Sequence, residues 1–86
     1  MDFSSLSYGD LDEMFVDAAK IIIAEQYGST SLLQRKMQIG YNRAGRIVDQ
    51  MENLGMVGPS KGSKPREVLV YSETELMEII NKLKNK

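Results

Sequence analysis

Asn42, Arg46, Asp49 and Asn53 follow one another at intervals of four, three and four residues, so on a helix they share one face. Their side chains are of the types that read base edges. An arginine fork matches guanine, an asparagine matches adenine, and a carboxylate accepts from the cytosine amino group. A solvated polar face of an ordinary amphipathic helix carries similar residues. Other chemistry is narrowed by what is lacking: the chain has no cysteine and no histidine. That removes disulfides, thiolate metal sites, the usual zinc ligands and the commonest general acid–base group. The chain therefore reads as a non-enzyme with no cofactor, metal or small-molecule substrate.

The elements that must position this face are a helix from Ser31 to about Met37, a turn Gln38-Ile39-Gly40, and a helix from Tyr41 to about Leu54 stopped by Gly55. Two helices joined by a short Gly-containing turn form a helix-turn-helix, whose second helix can lie in the DNA major groove. Ala44, Ile47, Val48, Met51 and Leu54 recur at helical spacing and predict its buried stripe. Gly40 is expected to take a left-handed conformation in the turn. Gly45, mid-helix, implies close approach by another helix or by DNA backbone, or else a tolerated defect costing about 1 kcal/mol.

Upstream, Asp10 with Glu13 resembles a capping pair. It opens a helix whose stripe is Leu11, Met14, Phe15, Ala18, Ala19 and Ile22, widened by Ile21 and Ile23 and closed by Gly28 as the residue just past its end. Phe3, Leu6 or Tyr8 is available to tuck against the core, and Ser29, Thr30 and Ser31 offer caps for the next helix, with Leu32, Leu33 and Met37 inward. After Gly55 the pattern changes: Met56–Gly58 and Glu67–Tyr71 are short and β-prone around the loop PSKGSKP, which predicts a hairpin with a basic tip. The tail opens on Ser72 and Glu75 as a capping box, with Tyr71 stapled on Leu76. Its stripe of Leu76, Ile79, Ile80 and Leu83 must be buried on the core or on a second subunit.

The expected fold is mainly α with a small β-hairpin: a winged helix-turn-helix of three core helices, a wing and an extra C-terminal helix. Its divisions are a flexible lead at 1–9, a DNA-binding domain at 10–71 and the helix at 72–86. At 86 residues there is room for one domain and one modest core. No apolar run approaches the ~20 residues needed to span a bilayer, and the expected location is cytoplasmic. The net charge of −1 hides a division along the chain. Residues 1–30 hold six acids against one lysine, a balance of −5, and residues 31–66 hold seven bases against two acids, a balance of +5. Arg35, Lys36, Arg43, Lys61, Lys64 and Arg66 surround the reading helix and are the candidates for DNA backbone phosphates.

The runs GDLDEMF, LLQRKMQIGYNRAGRIVDQMENLGMVGPS and KPREVLV resemble, in one register over about residues 9–70, the gamma domain at the C-terminus of the FtsK and SpoIIIE DNA translocases. The resemblance implies a winged helix that reads a short, strand-polarised motif in double-stranded DNA and orients the motor in chromosome segregation. It also implies contact with a Xer-type recombinase. Separately, one small module makes few contacts, so tandem or dimeric copies on DNA are expected to supply the rest of the affinity. The family's base-reading residues map onto Asn42, Arg46 and Asp49. A glutamate usual in the family is replaced by the shorter Asp49, and the helix after Ser72 extends beyond the family pattern. No Walker loop or motor lies within these residues, so the chain reads as a free-standing relative or a piece of a longer one. The alternative function is a winged helix acting mainly through protein contact.

Overall fold

The structure, a computed structural model, describes residues 6–85; Phe3, offered above as a core residue, lies outside them, as does Lys86. A 3-10 turn at Tyr8–Asp10 precedes four α-helices among the described residues: α1 (Phe15–Glu25), α2 (Thr30–Met37), α3 (Tyr41–Asn53) and α4 (Glu73–Lys84). The β component is slight, three isolated antiparallel bridges at Gly28–Arg66, Val57–Val68 and Lys61–Lys64. The last two belong to one hairpin, in which the Gly58 N–H donates to Glu67 O at 2.8 Å and the Leu69 N–H to Met56 O at 2.9 Å. Its tip turns at Gly62, whose positive φ of 71° suits glycine in a tight hairpin turn.

The helix starts follow local chemistry, with some reassignment. Asp10 does not cap α1 with Glu13; its carboxylate accepts from the Ser7 N–H at 3.0 Å and closes the 3-10 turn. Asp12 prepares α1 instead, its carboxylate accepting from the Met14 N–H at 2.8 Å. Ser29 caps α2 by accepting from the Leu32 N–H at 3.2 Å. Ser72 caps α4 through the Glu75 N–H at 3.2 Å, while the Glu75 carboxylate reaches one residue further back than a capping box requires, to the Tyr71 N–H at 3.1 Å. Tyr71 is 67% exposed, which leaves little of its ring to staple on Leu76.

The left-handed positions also differ from expectation. Gly28 and Gly40 do not end helices with positive φ; Gln26 (φ 51°) and Gln38 (φ 54°) do. A non-glycine there costs roughly 1–2 kcal/mol. Gln26 offsets that through its amide nitrogen, which donates to Ile23 O and to Val70 O, each at 2.9 Å, tying the end of α1 to the hairpin. Gly40 is extended (φ −68°) and serves as the N-cap of α3. Gly28 is needed for space: the Arg66 N–H donates to its carbonyl at 2.8 Å, and a Cβ would collide with the Arg66 carbonyl oxygen.

One core joins all these elements. Phe15, Ile22, Leu33, Ile47, Met51 and Leu76 are each at most 1% exposed. The α4 stripe is buried within the same chain through Leu76, Ile80 and Leu83, lying against α1 and the 3-10 turn, where Lys84 Nζ stands 4.8 Å from the centre of the Tyr8 ring. Full burial of each such Leu or Ile stabilises by about 1.5–3 kcal/mol. Leu6, just ahead of the turn, is partly buried against the same core.

Two substitutions test this packing with opposite signs. Leu76→Ala leaves a void in the core and is expected to cost about 2–5 kcal/mol in urea denaturation; an unchanged midpoint would mean that α4 is not part of the cooperative unit. At Gly45 a new Cβ meets only Thr30 Cγ2 at 3.9 Å, an ordinary contact, so close approach by α2 does not require the glycine. Gly45→Ala should stabilise by about 1 kcal/mol, raising the melting temperature roughly 4–8 °C. A fall in melting temperature would show that α2 and α3 do need it.

Candidate nucleic-acid interface

The outward face of α3 is set by its inward one. Ala44, Ile47, Val48 and Met51 have no solvent exposure, which directs Asn42, Arg46, Asp49 and Asn53 outward; all four are exposed. The side chains of Asn42 and Arg46 make no hydrogen bond or ion pair with any described residue. Asp49 is different: its Oδ1 accepts from Arg66 Nη2 at 3.0 Å, although the side chain remains 64% exposed.

The flanks of α3 are fixed by polar contacts to distant segments. Arg43 forks onto Asp12, Nε to Oδ2 and Nη2 to Oδ1, both at 2.9 Å, and its Nη2 lies 3.7 Å from Glu13. Beside it Gln50 accepts from the Asp12 N–H and donates to Asp10 O, both at 3.1 Å. On the other flank Arg66 bridges from the hairpin to Asp49 and, through Nη1, to Glu52 at 3.0 Å. Of the six bases assigned to phosphates by sequence, Arg43 and Arg66 thus face carboxylates of the protein itself. Lys36 stands 3.9 Å from Glu25 with both side chains half exposed, a contact of little strength in solvent. Arg35, Lys61 and Lys64 are exposed and have no ion pair with a described residue.

A groove of about 250 Å³ opens between the hairpin tip and the start of α2, lined by Tyr27, Ser29, Ser31, Tyr41, Ser60 and Lys64 among others. Tyr27 and Tyr41 are 50% and 59% exposed. Its hydroxyls and lysine suit a sugar–phosphate strand, to which such groups donate. Lys64 was among the phosphate candidates read from the sequence; Tyr27 and Tyr41 were not. Tyr41, an aromatic residue next to the polar face, carried a local signal; Tyr27 carried none, because long-range contacts, the Gly28–Arg66 bridge and Gln26 on Val70 O, bring its loop to the hairpin.

Among the described residues no group of His, Cys, Asp and Glu is arranged to hold a metal, and no helix is long and apolar enough to cross a membrane.

Residues 9–71 match the family model described as Ftsk gamma domain. Over 62 residues the chain is 53% identical to the DNA translocase FtsK of Mycobacterium tuberculosis (strain CDC 1551 / Oshkosh), covering 72% of this chain and 8% of that protein. It is 47% identical over 75 residues to the DNA translocase FtsK of Chlorobaculum tepidum, covering 87% and 9%. To that of Clostridium acetobutylicum it is 54% identical over 66 residues, covering 77% and 9%. The chain therefore spans less than a tenth of the length of these curated relatives.

The Arg43–Asp12 fork generates a pH prediction. The hydrogen bond from Arg43 holds the Asp12 carboxyl below its ordinary value, against partial burial that works to raise it, and the Met14 N–H and the charges of Arg43 and Arg46 lower it further. A depressed folded value contributes stability that is present above the unfolded value near 3.9 and is lost as pH falls through the folded one. Asp12→Asn should therefore be less stable than the parent at pH 7, and the gap should narrow as urea midpoints are followed below pH 4. Parallel curves for the two proteins would remove Asp12 from the acid response.

Proposed function

Because the chain belongs to the Ftsk gamma domain family, we propose that it is a sequence-reading, double-stranded DNA-binding module of the winged-helix type. In this reading α2 and α3 are the helix-turn-helix, and the hairpin around Lys61–Lys64 is the wing. Asn42, Arg46 and Asp49 read base edges in the major groove, while Arg35, Lys36, Lys61 and Lys64 hold backbone phosphates. The groove beside Tyr27 and Tyr41 takes an adjoining stretch of sugar–phosphate. Within a translocase such a module would orient the motor on the chromosome, in contact with a recombinase or with further copies of itself.

The observation that carries the proposal is the pair Asn42 and Arg46, projecting from a helix whose other faces are occupied, with no side-chain hydrogen bond or ion pair to a described residue. Leu69, Tyr71 and Met77 are also exposed and support a second reading, in which the domain acts mainly through protein contact.

Binding profiles over a randomised duplex, taken at several salt concentrations, distinguish the two. A bidentate base contact discriminates by ~1–3 kcal/mol. Arg46→Ala should accordingly cost up to about a hundredfold at the preferred site and little on random DNA. Lys61→Ala should weaken both alike and reduce the salt slope by about 0.9, from a parent value of roughly −2.7 to −3.6 if three or four phosphates are neutralised. Equal losses on preferred and random DNA for Arg46→Ala would overturn base reading, and a slope near zero would overturn DNA binding in favour of protein contact.

A further inference from the structure

We propose that Arg66, a hairpin residue, is a positioning residue for base recognition: it sets the Asp49 carboxylate from the wing side and does not itself hold a phosphate. The proposal rests on the base-reading role of α3 given above.

Arg66 is fixed at both ends. Its backbone N–H donates to Gly28 O at 2.8 Å, at a point where only a glycine leaves room for the approach. Its guanidinium then spans to α3, with Nη2 on Asp49 Oδ1 and Nη1 on Glu52 Oε1, each at 3.0 Å. The Arg66 side chain is 15% exposed, against 64% for Asp49 and 35% for Glu52. The planar fork is thus largely covered and its direction set by two carboxylates three residues apart on one helix.

A phosphate is a poor fit to this place. One guanidinium between two carboxylates leaves a local charge of −1, so an arriving anion would displace two charge-assisted hydrogen bonds and then face both freed carboxylates. Asp49, in contrast, is well disposed for a base. Oδ1 is held by Arg66, whereas Oδ2 has no bond to any described residue on a side chain mostly open to solvent. An oriented carboxylate oxygen at the outer face of α3 matches an exocyclic amino group in the major groove, that of cytosine in the usual pairing. Arg66 restricts the Asp49 rotamer before DNA arrives, so less conformational freedom is lost on contact.

The test uses the full 86-residue chain and binding profiles over a randomised duplex at several salt concentrations, with thermal melts of each variant. Asp49→Ala identifies the base pair that Asp49 reads. Arg66→Gln is expected to lose preference at that same base pair, on the order of tenfold, with the salt slope unchanged. In the Asp49→Ala background, Arg66→Gln should cause no further loss of preference. Arg66→Lys keeps the charge without the fork and should retain the fold with an intermediate preference, which keeps the proposal testable if Arg66→Gln melts too low to assay. A uniform loss on all sequences with a slope reduced by about 0.9 would make Arg66 a phosphate ligand and overturn the proposal. A lowered melting temperature with unchanged preference would make it only a brace and overturn it equally. Arg46→Ala separates the two levels of the argument. If Arg46→Ala loses preference at its own base pair while the Arg66 variants keep the parent's preference, only the positioning role fails; if neither loses preference, base reading by α3 fails altogether.

Discussion

Ala44, Ile47, Val48 and Met51 are wholly withdrawn from solvent, and the rest of the molecule depends on that burial. Successive residues in an α-helix are about 100° apart, so turning α3 by a single position would bring this stripe into water. With about 1.5–3 kcal/mol at stake for each large side chain, such a rotation would cost a domain of this size much of its total stability, which is typically about 5–15 kcal/mol. The azimuth of α3 is therefore fixed by hydrophobic burial alone. Everything its outer face presents, from Asn42 to Asn53, follows from which positions the core has taken.

Burial sets rotation but leaves sliding and tilt less constrained, and here the polar contacts act. The Arg43–Asp12 fork joins residues 31 positions apart and Arg66–Asp49 joins residues 17 apart, one on each flank of the helix. Gln50 adds a neutral hydrogen-bonded pair to the Asp10–Asp12 segment. Each of these groups is partly solvated, so none is worth much alone. Their directionality is what matters, since planar forks hold a helix in register where apolar side chains would slip. Stabilisation and positioning are thus supplied by different residues.

The parts of this arrangement that were legible in the sequence are those that depend on short-range periodicity. The α3 stripe, the stop at Gly55 with its φ of 74° and the Ser72 cap all lie in patterns a few residues long. Misreadings arose where a distant partner decided a local choice. Gly28 resembles a helix terminator, but its glycine answers to the Arg66 backbone, which is 38 positions away in the numbering. Gln26 tolerates the left-handed conformation because Val70 O accepts from its side chain. The charge blocks depend on distant partners in the same way: the acidic and basic segments are joined across the fold by Arg43 on Asp12 and by Lys36 near Glu25, whereas Arg66 pairs within the basic segment, with Asp49 and Glu52. The polar face of α3 was visible from its spacing; that Asp49 is already held, while Arg46 and Asn42 are not, was not visible.

The internal pairing of Arg43 and Arg66 has a consequence for how a module of this kind would divide affinity from discrimination. Sequence-independent attraction to a duplex scales with the number of phosphates neutralised, and two of the seven bases between residues 31 and 66 are already neutralised within the protein. Under the DNA-reading proposal the grip on an arbitrary duplex is weak, whereas the base-reading side chains keep their full geometric fit. A weaker general grip with unchanged base contacts raises the ratio of specific to non-specific binding, the quantity that matters on a long chromosome. Tight occupancy would then require several modules on adjacent sites, where linkage converts weak individual contacts into strong joint ones. The same two arginines that hold α3 in register therefore also reduce the charge that would attach the module to the wrong sequence.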